Sequence, residues 1–369
     1  MKKEELSQIK KGFKVDGKRE ISVSGLINIY CKFDGGKTEI KFISNEVLAR
    51  KNVDERELYY NNFKKLISGS FGKNLFELDF QSNPEGKESQ EMLCELKDPD
   101  NFEIVATELV EKILKTYSYG KDVVFSAILG TVFLSEGKGK LKTTVNHTFV
   151  CLTVNEVGLS SKELSIDTVA KQLTERSNDV VVNFNKPIEG FMFPSLTDLN
   201  SDVNKLIYCT GKANVLNPNL IEEVLSCKKV LTAVEEKNVL NCVLKEAIGD
   251  AVELEKLSSI YTDIADYKTV SNTNISSDEL KDILESNGIK DVKDALAKTI
   301  GTKPLDLNID NIIPTGKKAL KINNDKVTVA LDTELIKNVS QSKKVGKNCL
   351  IIELSEDIDI DGFKISKDK

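Results

Sequence analysis

At 369 residues, 40% hydrophobic and 30% charged, the chain is long enough for two or three domains and has the composition of a globular protein rather than a disordered one. No apolar run approaches the ~20 residues that cross a bilayer, and the opening MKKEELSQIKK has no apolar signal segment, so a cytoplasmic protein is expected. A net charge of -6 argues against broad attraction to nucleic acid or anionic membrane, and the single histidine and absence of tryptophan remove several enzyme designs.

Residues 2–11, with Leu6 and Ile9 three apart among charges, predict a short helix with a narrow apolar edge. EISVSGLINIYCKF (20–33) and KTEIKFI (37–43) flank Asp34-Gly35-Gly36 and predict a hairpin, since glycine supplies the positive φ of a tight turn. Asn45 is placed to cap a helix ending at Ile67, with Leu58, Tyr59, Phe63, Leu66 and Ile67 on its apolar face and Gly69 as its stop. A strand over 75–80 follows, then a helix around 87–96 and a longer one after Asp98-Pro99, in which Phe102, Val105, Leu109, Ile113 and Tyr117 form one stripe.

DVVFSAILGTVFL (122–134) is apolar on both alternating faces and KTTVNHTFVCLTV (142–154) is β-branched, so the two predict a long central hairpin around SEGKGK. Strands are also predicted at 179–184, 190–193 and 205–210, which makes residues 1–213 an α+β domain with a mixed sheet and helices. From Asn217-Pro218 the pattern turns helical. Thr232 and Glu235 suggest a capping box for a helix ending at Gly249, a third helix covers 252–267, a fourth starts at Ser276 with Glu279 three residues on, and a short one covers 291–299. Residues 214–301 are thus expected as a helical subdomain. After Gly301-Thr302-Lys303-Pro304, a hairpin turning at 323–325, a short helix from Asp332 and the strand NCLIIEL make 302–369 a β-rich module.

Seven dispersed cysteines, odd in number and without a C-x-x-C pair, read as free thiols rather than a disulfide framework or a zinc site. Asp357, Asp359, Asp361 and Gly362, with Asp368 at position twelve, imitate a calcium loop, but Ile358 and Ile360 alternate with the aspartates as in a half-buried strand, and no flanking helices are predicted. Gly69 to Asn74 (GSFGKN) fails as a phosphate loop, because its glycines are too close and it runs from helix to strand; Gly137 to Lys140 (GKGK) reads as a turn with a slight capacity for anions. His147 lies four residues along a strand from Cys151, about 13 Å at ~3.3 Å per residue, so the two do not form an adjacent catalytic pair.

The most suggestive polar residues follow the turn Gly190-Phe191-Met192-Phe193-Pro194. Asp198 and Asp202, spaced by four, would share a face of a helix and could hold a divalent cation there; capping and solvating a turn is the commoner role of aspartate. Phe191 and Phe193 could stack on a base, with core packing the commoner use.

SGSFGKNLFELDF (68–80), GFMFPSLTDLNSDVNKLIYCTGK (190–212) and the closing KNCLIIEL resemble, in order and spacing, a family of Firmicutes proteins defined as a domain of unknown function, numbered forty-three seventeen. The family pattern has an arginine where this chain has Leu199, a histidine where it has Asn204, and a tryptophan near Val180. The resemblance implies one full-length intracellular architecture and no particular activity. The expected function is that of a non-catalytic protein working through protein contacts, as a homo-oligomer, with no cofactor, no membrane and no nucleic acid. The alternative is a metal-dependent hydrolase or nucleotide-binding enzyme using Asp198 and Asp202 together with Lys73 or Lys138. A nucleic-acid module on the helices of 217–299 is less favoured, because acidic residues interrupt any basic face there.

Overall fold

The computed structural model describes residues 3–17, 20–136, 143–159, 164–167, 172–175, 180–197, 200–249, 254–268, 273–301, 305–313, 320–323, 326–332, 335, 338–344, 346–354, 359–360 and 363–364. Two compact units emerge, Met1–Thr232 and Ala233–Lys369.

The first unit contains α1 (Lys3–Gly12), β1 (Ser22–Asp34), β2 (Lys37–Glu46), α2 (Val53–Leu66), β3 (Leu75–Asp79), α3 (Pro84–Glu95), α4 (Phe102–Thr116), β4 (Val123–Glu136) and β5 (Thr143–Leu159). It continues with β6 (Leu164–Asp167), β7 (Gln172–Glu175), β8 (Val180–Val182), β9 (Glu189–Phe193), β10 (Ser195–Thr197), β11 (Asn200–Asp202) and β12 (Lys205–Thr210). An eight-stranded sheet runs β2-β1-β4-β5-β9-β12-β3, with β8 added to β5; β6 pairs with β7 and β10 with β11 in separate hairpins. The class is α+β. Every described ladder of the large sheet is antiparallel, so the expected mixed sheet is an antiparallel one, its strands joined by hairpins and longer returns rather than by helical crossovers to a parallel neighbour.

The two-sided apolar pattern of 122–134 explains the layering. Val123, Phe125, Ala127 and Leu129 of β4 face a core shared with Leu93 of α3, Phe102, Val105, Leu109 and Ile113 of α4, and Leu220, Val224 and Cys227. The opposite parity, Ile128, Val132 and Leu134, packs with Leu6 and Ile9 of α1 and with Tyr60, Phe63 and Leu66 of α2. A strand buried on both faces must be apolar at nearly every position, and the run 123–134 is so apart from Ser126, Gly130 and Thr131.

Several boundaries differ from the periodicity reading. β2 continues through Glu46, and α2 starts after Asn52, whose side chain accepts from the Glu55 backbone N–H while Glu55 reaches back to the Asn52 N–H. That reciprocal capping box fixes the start of the helix at Asn52, not Asn45. Pro99 stays in the turn before α4, with Asn101 in the N-cap position. The Asn217-Pro218 signal opens only a six-residue π-helical turn, Asn219–Val224, which is part of the first unit's core. The Gly35-Gly36 hairpin is as expected: both residues have positive φ, and Asp34 pairs with Lys37.

The second unit contains α5 (Ala233–Ile248), α6 (Leu254–Tyr267), β13 (Asn274–Ser276), α7 (Ser277–Ser286), α8 (Val292–Ile300), β14 (Asp306–Asn308) and α9 (Ile309–Ile312). The hairpins β15 (Leu320–Asn323) with β16 (Thr328–Leu331), β17 (Val339–Lys344) with β18 (Lys347–Ile352), and β19 (Asp359–Ile360) with β20 (Phe363–Lys364) complete it. Leu240, Val243, Ile260, Ile264, Leu280, Leu284 and Val292 are buried within it. The Ser276 to Glu279 capping box is present as expected, with Gly288 in the left-handed region just beyond α7. The GKGK loop, residues 302–304 and 324–325, and most of the helix expected after Asp332 lie outside the described residues.

Two outcomes test this packing. Gly190→Ala would bring a Cβ to 2.0 Å from the Leu152 carbonyl oxygen, so it should cost at least the ~1–3 kcal/mol of an overpacked core. Ser276→Ala should cost about 1 kcal/mol through loss of the cap. Urea denaturation with an unchanged m-value measures both.

Candidate functional site

The residues singled out by sequence sit on β9 and the hairpin after it. Phe191 and Phe193 are fully buried on the α4 side of the sheet, where the Phe193 ring meets Phe80 edge-on with centroids 6.2 Å apart. They are core residues and present no face to a base. Gly190 allows β9 to lie against the Leu152 carbonyl, and Pro194 is buried at the strand end.

The Asp198/Asp202 segment is not helical. Ser195 pairs with Asp202 and Thr197 with Asn200, so β10 and β11 form a hairpin whose tip, including Asp198 and Leu199, lies outside the described residues. Buried Leu196 anchors this arrangement from one strand. Asp202 Oδ1 accepts from the Asn204 backbone N–H at 3.0 Å and from Asn204 Nδ2 at 3.1 Å, the turn-capping role. Gln90 in turn donates to Asn204 Oδ1 at 3.1 Å. This chain of polar groups borders an open cleft of about 670 Å³, lined by Gln81, Asn83, Lys87, Gln90, Asn204 and Lys228 among others.

Lys73 does not join Asp202. Lys205 pairs with Asp79 and Cys209 with Leu75, while the Asn214 N–H donates to the Lys73 carbonyl, so Lys73 lies past the opposite end of β12. Five residues of strand separate the two ends by about 17 Å. Lys138 is outside the described residues, as are Asp357, Asp361, Gly362 and Asp368; Asp359 belongs to β19. Among the described residues, no three His, Cys, Asp or Glu side chains stand close enough together to hold a metal ion. His147 is half-buried in β5, opposite Val132. All seven cysteines are free, and burial pushes the thiols of Cys31, Cys151, Cys209 and Cys227 up, which leaves them poor nucleophiles at neutral pH.

The structure assembles two polar clusters that sequence reasoning missed. The first is built on Glu189, the opening residue of β9, which is only 3% exposed. Its carboxylate accepts from Tyr119 Oη at 2.7 Å, Tyr208 Oη at 2.6 Å and Asn217 Nδ2 at 2.8 Å. The Asn217 N–H closes the circuit onto Tyr208 Oη at 3.3 Å. Burial first, and then the adjacent Glu189 charge, push both tyrosine hydroxyls up, so they remain donors. A cleft of about 340 Å³ opens on this cluster, with Tyr117, Pro218 and Lys212 also in its walls.

The second cluster is a cross-strand row beneath α2. Asn28, Ser126 and Thr153 occupy paired positions on β1, β4 and β5. Ser126 Oγ donates to Asn28 Oδ1 at 2.7 Å, and Asn28 Nδ2 donates to Tyr59 Oη at 2.9 Å and Glu46 Oε1 at 3.2 Å. Thr153 Oγ1 accepts from Asn62 Nδ2 and Asn155 Nδ2, both at 2.9 Å, and donates to the Ser126 carbonyl at 3.3 Å. The Oδ1 atoms of Asn62 and Asn155 are buried without a protein partner, the situation in which an internal water usually completes the network. Glu46 ends the row in an ion pair with Lys51. Burial works to raise its carboxyl, but hydrogen bonds from Lys51, Ser44 and Asn28 prevail and hold it below the ordinary glutamate value.

The fold and clusters define an α+β protein whose antiparallel sheet is covered by helices on both faces. The pattern of the DUF4317 domain of unknown function matches residues 1–363, and the chain belongs to that family. No curated protein and no solved structure matches it. Among the described residues, no helix is long and apolar enough to cross a membrane.

Thr153→Val removes the acceptor for two buried amide donors and should cost about 1–3 kcal/mol in urea unfolding. Glu46 has a depressed folded pKa, so its contribution is complete above the unfolded value near pH ~4.3 and is lost as pH falls through the folded value. The stability gap between wild type and Glu46→Gln should therefore be constant above about pH 5 and close on acidification.

Proposed function

We propose that this is a non-catalytic, cytoplasmic protein, in the Firmicutes setting that the family resemblance implies, and that it works by associating with further copies of itself. The observation that carries this reading is the outer edge of the large sheet. β2 is ten residues long, and among the described residues it pairs only with β1. Its free backbone groups are a template for another strand.

The side chains of that edge suit a second copy. Phe42 and Ile43 are 55% and 40% exposed. Asn45 Nδ2 donates to Glu103 Oε2 at 2.7 Å, which brings the first turn of α4, with Ile104 60% exposed, beside them. Lys37, Glu39 and Lys41 alternate in sign at every second position. An antiparallel copy centred on Ile40 would set Glu39 of each chain against Lys41 of the other, a favourable cross-strand pair.

The alternative of a hydrolase or nucleotide-binding enzyme drawing on Asp198 and Asp202 gains nothing from Phe191 and Phe193, which are packed inside, or from Lys73, which stands at the far end of β12.

Native mass spectrometry of the full chain should give a discrete oligomer that Phe42→Glu with Ile43→Lys converts to a monomer with the circular dichroism of the folded wild type. A wild-type monomer across the accessible concentration range, or an oligomer untouched by the double substitution, would overturn the edge-pairing reading.

A further inference from the structure

The Glu189 cluster is more than a satisfied core network in one respect: its charge. Burying a carboxylate normally calls for a cation nearby, since three hydrogen bonds from neutral donors leave the net charge uncompensated. Among the described residues, the donors to Glu189 are Tyr119, Tyr208 and Asn217, all neutral. Lys212, also in the lining, is exposed.

The cleft also has the aromatic walls that cations favour. Tyr117 and Tyr119 meet at 84° with centroids 5.0 Å apart, and Tyr208 forms part of the same lining. A tyrosine ring beside a negative group attracts an alkylated ammonium, because the ring face is electron-rich and the cation's apolar methyl groups lose little hydration on entering. A compact, strongly hydrated metal ion gains less from such walls. Each wall has a separate origin in the chain: Tyr117 ends α4, Tyr119 lies in the link to β4, and Tyr208 comes from β12.

We infer that the cleft bounded by Glu189, Tyr117, Tyr119 and Tyr208 binds a small organic cation carrying an alkylated ammonium group. The ammonium lies against the half-exposed Tyr117 ring, its charge offset by Glu189, while Lys212 in the lining disfavours a second positive group and tolerates an anionic tail. The site lies on the α4 side of the sheet, at the chain positions around 117–119, 189 and 208–217, and does not involve β2.

Three of the chain's 8 tyrosines line the cleft and no tryptophan masks their emission, so a change on titration is read against the constant signal of the other five. Titration with tetramethylammonium and with choline should give saturable changes in that emission, confirmed by calorimetry, with sodium at equal ionic strength as the blank. Tyr117→Leu should weaken binding about tenfold with the unfolding midpoint unchanged, since this side chain is half-exposed and stands outside the buried core. Glu189→Gln should weaken it more than about thirtyfold. Lys212→Ala should leave tetramethylammonium binding equal or tighter.

A short peptide bearing trimethyl-lysine separates the sources of the ammonium. Tighter binding than choline points to a modified side chain and weaker binding to a free small molecule, and either supports the site. No saturable binding of either small cation by the wild type would overturn the inference. So would equal affinity in Tyr117→Leu and wild type.

Discussion

The central β4–β5 hairpin is buried on both faces, and that double burial governs the first unit. Leu129 and Ile128 are neighbours in sequence yet belong to opposite cores. An antiparallel sheet often leaves one face to water, but here neither can be left, so helices must cover both. α1 and α2 close one side and α3, α4 and the π-helical turn close the other. Each fully buried Leu, Ile or Phe contributes roughly 1.5–3 kcal/mol, so the two layers together supply the dominant stabilisation.

A sheet covered on both sides makes every inward polar atom costly unless it is paired. The two polar clusters meet that demand differently. Beneath α2, neutral amides and hydroxyls hand hydrogen bonds along paired positions of β1, β4 and β5 until the row reaches Glu46 and its lysine at the surface. At Glu189 a full charge is held by neutral donors beside an open cleft. A charged group retained in so enclosed a place contributes less to stability than an apolar replacement often would, which directs attention to what it attracts.

The same architecture leaves β2 as a long edge with exposed apolar side chains, while β3 at the other end is partly covered, since the Gln81 and Lys228 N–H groups engage the segment of 226–228 and the Asp79 carbonyl. One edge is thus open and the other tied off, so the self-association we propose would be a closed pairing of two chains rather than continued growth. The second unit builds its own core from α5 to α9.

Much of this was legible in the sequence because it depends on neighbours along the chain. The Asp34-Gly35-Gly36 hairpin, the stripe of α4, the two-faced run of β4 and the Ser276 capping box follow from periodicities and turn chemistry spanning a few residues. Local ambiguity explains the misplaced start of α2: Asn45 and Asn52 both resemble caps, and only the ladder with β1, which keeps residues to Glu46 extended, excludes the first. The aspartate spacing of 198 and 202 suggested a helical face because a period of four is helical in isolation, whereas pairing of Ser195 with Asp202 made it a hairpin. The Glu189 and Thr153 clusters had no sequence signal, since each joins residues of separate elements, with Tyr119 70 residues from Glu189 and Asn62 91 residues from Thr153. The sequence by itself determined the elements and their apolar faces, because those arise from short-range sterics and hydrophobic period. Tertiary structure alone decided which polar groups meet and which edge stays open, because strand order and helix placement bring together residues that no local pattern relates.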